Sequence, residues 1–193
     1  MRDFVAFLLT KVYNSKPIAD VLIDNAFQKT VEDVHYHFPE ITTEEIRVRI
    51  EMNYNELAVF LFRLGNEIHL NKMDDLKFQI HWLLKELCSC EIYFSNEIDK
   101  GFYIVHGEGT VIGSRNKIGK GFIIHQGCTI GHKKNGEGNG NEIGDNVKMY
   151  SNSSIIGELV IGNNVVIGGN VMIFKNIEND KVITIKNANN IRF

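Results

Sequence analysis

Aliphatic residues recur every six positions through the second half of the chain, at Ile143, Met149, Ile155, Ile161, Ile167 and Ile173. A second set lies four residues after each step, at Val147, Ser153, Leu159, Val165 and Val171. Glycine follows the main position at Gly144, Gly162 and Gly168. A period of six matches neither the 3.6 of a helix nor the 2.0 of a strand. It fits a solenoid of short strands, each with one inward side chain and a bend before the next. Three such strands form a triangular coil of about eighteen residues, and coils stack about 4.8 Å apart through strand pairing.

The same beat is present earlier. Ile92, Ile98 and Ile104 are six apart, and Ile112, Ile118, Ile124 and Ile130 resume the count after a slip of two residues. It breaks again across residues 132 to 141, HKKNGEGNGN, and restarts at Ile143. A glycine- and asparagine-rich polar segment of that kind must project as a loop, and insertions in repeat proteins tend to lie on the binding face. The coils are expected to end near Ile177. A last strand is expected at residues 182 to 185, and the polar tail after it is a candidate cap for the open end. Both prolines, Pro17 and Pro39, lie outside the repeat, as a paired-strand architecture requires.

Residues 1 to 88 carry helical spacing instead. Phe4, Val5, Phe7, Leu8, Leu9 and Val12 form one apolar stripe. Pro17 suits the first turn of a second helix, which carries Val21, Leu22, Phe27 and Val31 and ends before Pro39. Thr42 and Glu45 have the spacing of a capping box. Ile46, Ile50, Tyr54, Leu57, Leu61 and Leu64 continue at three-to-four spacing, and a further helix is expected from Asp74 to Leu87. These apolar faces are expected to pack on one another and on the first coil. The predicted fold is therefore α+β: an N-terminal α-helical bundle over 1–88, a parallel β-helix of hexapeptide repeats over 89–180, and a tail over 181–193.

Composition narrows the function classes. The chain has 193 residues, a net charge of −3, 44% hydrophobic and 23% charged residues. That balance gives no pointer to nucleic acid or an anionic membrane. The three cysteines, Cys88, Cys90 and Cys128, have no zinc-type spacing and suggest reduced thiols and a cytoplasmic location. The first residues, MRDFVAFLLTKVY, lack a signal-peptide cleavage site, and no apolar run approaches membrane-spanning length.

Residues 91–113, EIYFSNEIDKGFYIVHGEGTVIG, go beyond a generic solenoid. Glu91-Ile92, then Gly101, Val105-His106-Gly107-Glu108-Gly109 and Val111-Ile112-Gly113, together with the hexapeptide coils, resemble the serine acetyltransferase family of left-handed β-helix acetyltransferases. Gln126 and Thr129-Ile130-Gly131 also fall at matching places. The resemblance covers roughly residues 50 to 177. It implies a left-handed helix, acetyl-CoA as co-substrate with no metal, a small-molecule hydroxyl acceptor and a homotrimer or a hexamer built as a dimer of trimers. It further implies that His106 is the general base and that Glu91 orients it, at a position where the family has Asp. The chain departs from the family pattern at Val105, where the family has Asp, and at Gly140 or Asn141, where it has a second His. The closing Gly-x-Pro-Ala element is also absent, with Asn187-Ala188 nearest to it.

The chemistry fits those residues. Acetyl transfer to an alcohol needs a base for the hydroxyl proton, and an imidazole can take that proton and return it to the CoA sulfur. A carboxylate on the other ring nitrogen fixes the tautomer. Backbone amides near Gly107, Gly109 and Gly131 are candidate donors to the tetrahedral oxyanion. Exposed coil backbone near Ser151, Gly168 and Gly169 suits the pantetheine amides, and Lys133 and Lys134 suit the CoA phosphates. Within this reading L-serine and a sugar hydroxyl compete as acceptors. Two rivals differ in class: a non-catalytic β-helix scaffold, and a zinc site using His125 and His132, whose spacing does not match a three-histidine ligand set.

Overall fold

A computed structural model describes residues 1–134 and 137–185. Five α-helices lead the chain: α1 (Arg2–Leu9), α2 (Asp20–His37), α3 (Thr43–Met52), α4 (Tyr54–Leu70) and α5 (Asp74–Cys88). Fourteen short strands follow in three parallel sheets. The first sheet stacks β1 (Glu91–Ile92), β4 (Val111–Ile112), β7 (Thr129–Gly131), β10 (Ser154–Ile156) and β13 (Met172–Ile173). The second stacks β2 (Glu97–Ile98), β5 (Lys117–Ile118), β8 (Glu142–Ile143) and β11 (Val160–Ile161). The third stacks β3 (Tyr103–Ile104), β6 (Ile123–Ile124), β9 (Lys148–Met149), β12 (Val166–Ile167) and β14 (Val182–Ile183). The chain visits the sheets in rotation, the topology of a left-handed parallel β-helix. The expected α+β fold, a helical bundle followed by hexapeptide coils, is what the chain forms.

Each strand turns one aliphatic side chain inward, so register produces columns. Ile92, Ile112, Ile130 and Ile155 are fully buried and aligned in the first sheet, and Ile104, Ile124, Met149 and Ile167 in the third. The second set fills the space between columns: Val147, Ser153 and Val165 are buried, and Phe102 stacks on Phe122 with ring planes 17° apart.

Buried asparagines supply the vertical bonds at the corner between the first and second sheets. The Asn96 side-chain carbonyl accepts from both the backbone N–H and the side-chain amide of Asn116, each at 2.9 Å. Asn116 accepts the same pair from Asn141, and Asn141 accepts from the Leu159 N–H at 3.1 Å. These bonds pair polar groups that the corner would otherwise leave buried and unsatisfied.

The helical half differs from expectation in two places. Pro17 lies in a segment without regular structure, and α2 begins three residues later with Ala19 as its N-cap. The Gln79 side chain holds that segment, accepting from the Lys16 N–H and donating to the Lys16 carbonyl. The run from Ile46 to Leu64 is not one helix: Asn53 adopts extended backbone, closes α3 and caps α4 by accepting from the Asn55 N–H at 2.8 Å. The Thr42–Glu45 capping box forms as the spacing predicts.

A buried ion pair fixes the bundle to the first coil. Asp33 on α2 accepts both arms of the Arg63 fork from α4, at 2.8 and 2.7 Å, and also the N–H groups of Gly101 and Phe102. Arg63 donates onward to the carbonyls of Ile98 and Asp99. Burial pushes the Asp33 carboxyl up, while Arg63 and the two amides oppose that shift. Among the described residues no helix is long and apolar enough to cross a membrane. The tail from residue 186, with Asn187-Ala188 and most of the expected cap, lies outside them.

Candidate active site

The two-residue slip in the hexapeptide count is a physical bulge, and His106 sits on it. At the corner between the third and first sheets, successive coils align Val105, His125 and Tyr150 through ladder bonds to Ile124, Met149 and Ile167. They then align Gly109, Gly127, Asn152 and Asn170, all at positive φ between 58° and 72°. Gly127 bonds back to the carbonyl of Glu108, Asn152 to that of Gln126 and Asn170 to that of Ser151. His106 and Gly107 are therefore the extra pair in the first coil, pushed out of the ladder. His106 is exposed, whereas Gly107 is buried.

The bulge is held by α4. The Asn55 side-chain amide donates to the Val105 carbonyl at 2.9 Å, and its side-chain carbonyl accepts from the Gly107 N–H at 3.0 Å. Downstream, Thr110 N–H donates to the Gly107 carbonyl and Gly109 N–H to the Ser89 carbonyl. The amides of Gly107 and Gly109, candidates for the oxyanion, are thus engaged within the chain. Sequence reading missed Asn55, because a side-chain clamp fifty residues away has no periodic signature.

The His106 and His125 rings lie edge-on with centroids 6.5 Å apart, and His125 stacks on Tyr150 at 4.8 Å. Partial burial lowers the His125 pKa, and the positive charge available to His106 lowers it further. The buried Thr110 hydroxyl donates to the His125 carbonyl at 3.0 Å. Next to it, the Gln126 side-chain carbonyl is buried without a partner among the described residues.

Glu91 is not placed as the sequence expectation had it. Its carboxylate accepts from Lys85 Nζ at 2.8 Å and lies 3.4 Å from His81 Nε2, both on α5, and it has no hydrogen bond to His106. The Lys85 bond holds the Glu91 carboxyl below its ordinary pKa, with the charges of Lys85 and His81 adding to the effect. The physical reason is local: β1 follows directly on α5, so the last turn of that helix reaches the carboxylate first.

The proposed CoA contacts fall at two corners. Ser151, Gly168 and Gly169 share the His106 corner on later coils, and a side chain on Gly169 would come within 3.2 Å of the Ser151 carbonyl. Gly131, Lys133 and Lys134 lie where β7 leaves for the projecting loop, with Lys134 paired to Glu137 at 3.6 Å. One subunit does not bring the two groups together. His132 also belongs to that second corner, its Nε2 shared by the carbonyl and hydroxyl of Ser114. His125 and His132 are thus apart, and among the described residues no group of three potential metal ligands occurs. Asn141, one of two positions where the resemblance expects a second histidine, is buried in the asparagine ladder. The cysteines are buried, and burial pushes the Cys90 thiol up to about 12.

No protein-family profile matches the chain. It is 27% identical over 136 residues to the serine acetyltransferase of Staphylococcus xylosus, which covers 69% of this chain and 63% of that protein. It is 35% identical over 109 residues to the serine acetyltransferase of Staphylococcus aureus, covering 56% and 51%. The chain therefore spans between half and two thirds of the length of these curated relatives. Among solved structures, the Neisseria gonorrhoeae serine acetyltransferase in complex with serine superposes with a TM-score of 0.71 at 21% identity, covering 86% of this chain and 67% of that one.

Proposed function

We propose that this chain, a serine acetyltransferase-like hexapeptide-repeat protein, transfers the acetyl group of acetyl-CoA to a small-molecule hydroxyl with His106 as general base. The observation that carries the reading is the exposed His106 on a bulge of two extra residues, at the same corner as Ser151, Gly168 and Gly169. The acceptor oxygen attacks the thioester carbonyl as His106 takes its proton. The tetrahedral intermediate then expels the CoA thiolate, to which His106 returns that proton, leaving an O-acetyl ester and free CoA. The peptide N–H groups of His106 and Glu108 have no partner among the described residues, and we assign them to the oxyanion.

Acetyl-CoA is a co-substrate here. Its pantetheine would lie along Ser151, Gly168 and Gly169, where small side chains leave the corner backbone open. Lys133 and Lys134 would reach it from a neighbouring subunit, in a homotrimer or a dimer of trimers. Serine is the first acceptor to test, because the similar proteins are serine acetyltransferases and the Neisseria enzyme is seen with serine. A sugar hydroxyl is the second, favoured by one observation: Val105 stands beside His106 where the resemblance expects an Asp, so that carboxylate is missing from the corner that Val105 shares with His125 and Tyr150.

Thiol release from acetyl-CoA over serine, homoserine and nucleotide sugars tests the reading. His106→Ala should lower kcat by about 10²–10⁴-fold. A variant with full turnover, or a wild-type protein releasing no thiol with any acceptor, ends it.

A further inference from the structure

We infer that Asn55 is the positioning residue for His106, so that the helical bundle, and not Glu91, sets where the base stands; this rests on His106 being the base. In later coils the corner residues donate to the coil beneath, as Gly127 does to Glu108 and Asn152 to Gln126. The first coil has only the end of α5 and the Ser89 turn beneath it, and Gly109 takes the Ser89 carbonyl. Its bulge leaves two further peptide groups, the Val105 carbonyl and the Gly107 N–H, that must find partners elsewhere. Asn55 satisfies both with one side chain, at 2.9 and 3.0 Å. The two bonds grip the peptides on either side of His106, so they fix the Cα–Cβ direction of the imidazole without touching the ring.

Asn55 is itself fixed. Its N–H donates to the Asn53 side chain that caps α4. The next residue, Glu56, is buried and takes Arg49 Nη2 at 2.8 Å. An amide is the side chain this task requires. A carboxylate would accept from Gly107 but repel the Val105 carbonyl, and a longer glutamine would displace the whole bulge.

Steady-state kinetics on Asn55→Ala and Asn55→Asp test the inference. Asn55→Ala should lower kcat by about 10²-fold, the scale of a misplaced catalytic group, with KM for acetyl-CoA unchanged. Asn55→Asp should recover part of that loss. An Asn55→Ala enzyme that is folded by circular dichroism and turns over within about twofold of wild type overturns the clamp. The ¹⁵N resonances of the His106 ring give a second readout, independent of turnover and measurable on either variant. They should broaden or shift when Asn55 is replaced, while those of His35 stay in place. An unchanged His106 ring signal also overturns the clamp, whereas a wild-type protein without acetyl transfer refutes the function and leaves this readout standing.

Discussion

Glu91 is bonded to Lys85 at 2.8 Å and makes no bond to His106, although the two lie fifteen residues apart in sequence and less than one coil apart along the chain. Here the carboxylate serves a helix-to-coil tie. Replacing Glu91 with Gln should lower kcat for thiol release by less than about tenfold, well short of what His106→Ala removes. Lys85 is exposed, so loss of the tie should leave the urea midpoint nearly unchanged. A kcat loss equal to that of His106→Ala would restore the carboxylate to the chemistry.

Asp33→Ala should be far more damaging. It strands the Arg63 guanidinium in the seam between bundle and coil, where Arg63 is 5% and Asp33 1% exposed. Removing one member of such a pair costs about 3–5 kcal/mol. Chemical denaturation of the variant would show it, and Arg63→Lys should also be destabilising, because a lysine cannot supply both arms of the fork.

The asparagine ladder makes a graded prediction. Asn116→Ala strands the buried Asn141 N–H on the next coil and leaves the Asn96 carbonyl with one donor in place of two, at 0–1% exposure. Each stranded polar group costs about 1–3 kcal/mol. Asn164→Gly, at a φ of 56° that glycine accepts, removes exposed bonds to Asn146 and Asp180 and should cost under about 1 kcal/mol. Melting curves that rank the two variants the other way would refute the ladder as a structural spine.

His125 should titrate below the ordinary histidine value of about 6.5, since burial and then His106 both lower it. The sign follows from proton counts. Between the folded and unfolded pKa values the unfolded chain binds more protons, so this residue's contribution to stability is present above about 6.5 and declines as pH falls. Proton NMR should place the His125 pKa under the reference. His106→Ala should raise it part of the way back, because burial remains. A value above the reference would contradict the packing at this corner.

Much of this was legible in the chain itself. Inward aliphatic positions must repeat when each strand buries one residue, so the columns from Ile92 to Ile173 announced the coils and both interruptions. His106 was legible through its glycine-rich surroundings, and the slip beside it through arithmetic alone. The rest depends on contacts that no local pattern encodes. Asn55 and Asp33 act across 50 and 68 residues, and an asparagine at a helix start reads first as a cap. Glu91 shows the same limit: spacing said which coil it occupies, and not that Lys85 stands 2.8 Å from its carboxylate. Pro17 was compatible with a first helical turn, but the Gln79 side chain takes both backbone groups of Lys16 just before it, and the helix starts only at Asp20.

The bulge at residues 106 and 107 leaves Ile92 aligned with Ile112 and Ile104 with Ile124. The extra length at this corner is absorbed sideways and does not propagate along the axis. Reactive groups can therefore be gained, lost or lengthened at the corners without rethreading the interior. The scaffold and its chemistry are free to diverge at different rates, and changes of acceptor need alter only a few outward residues.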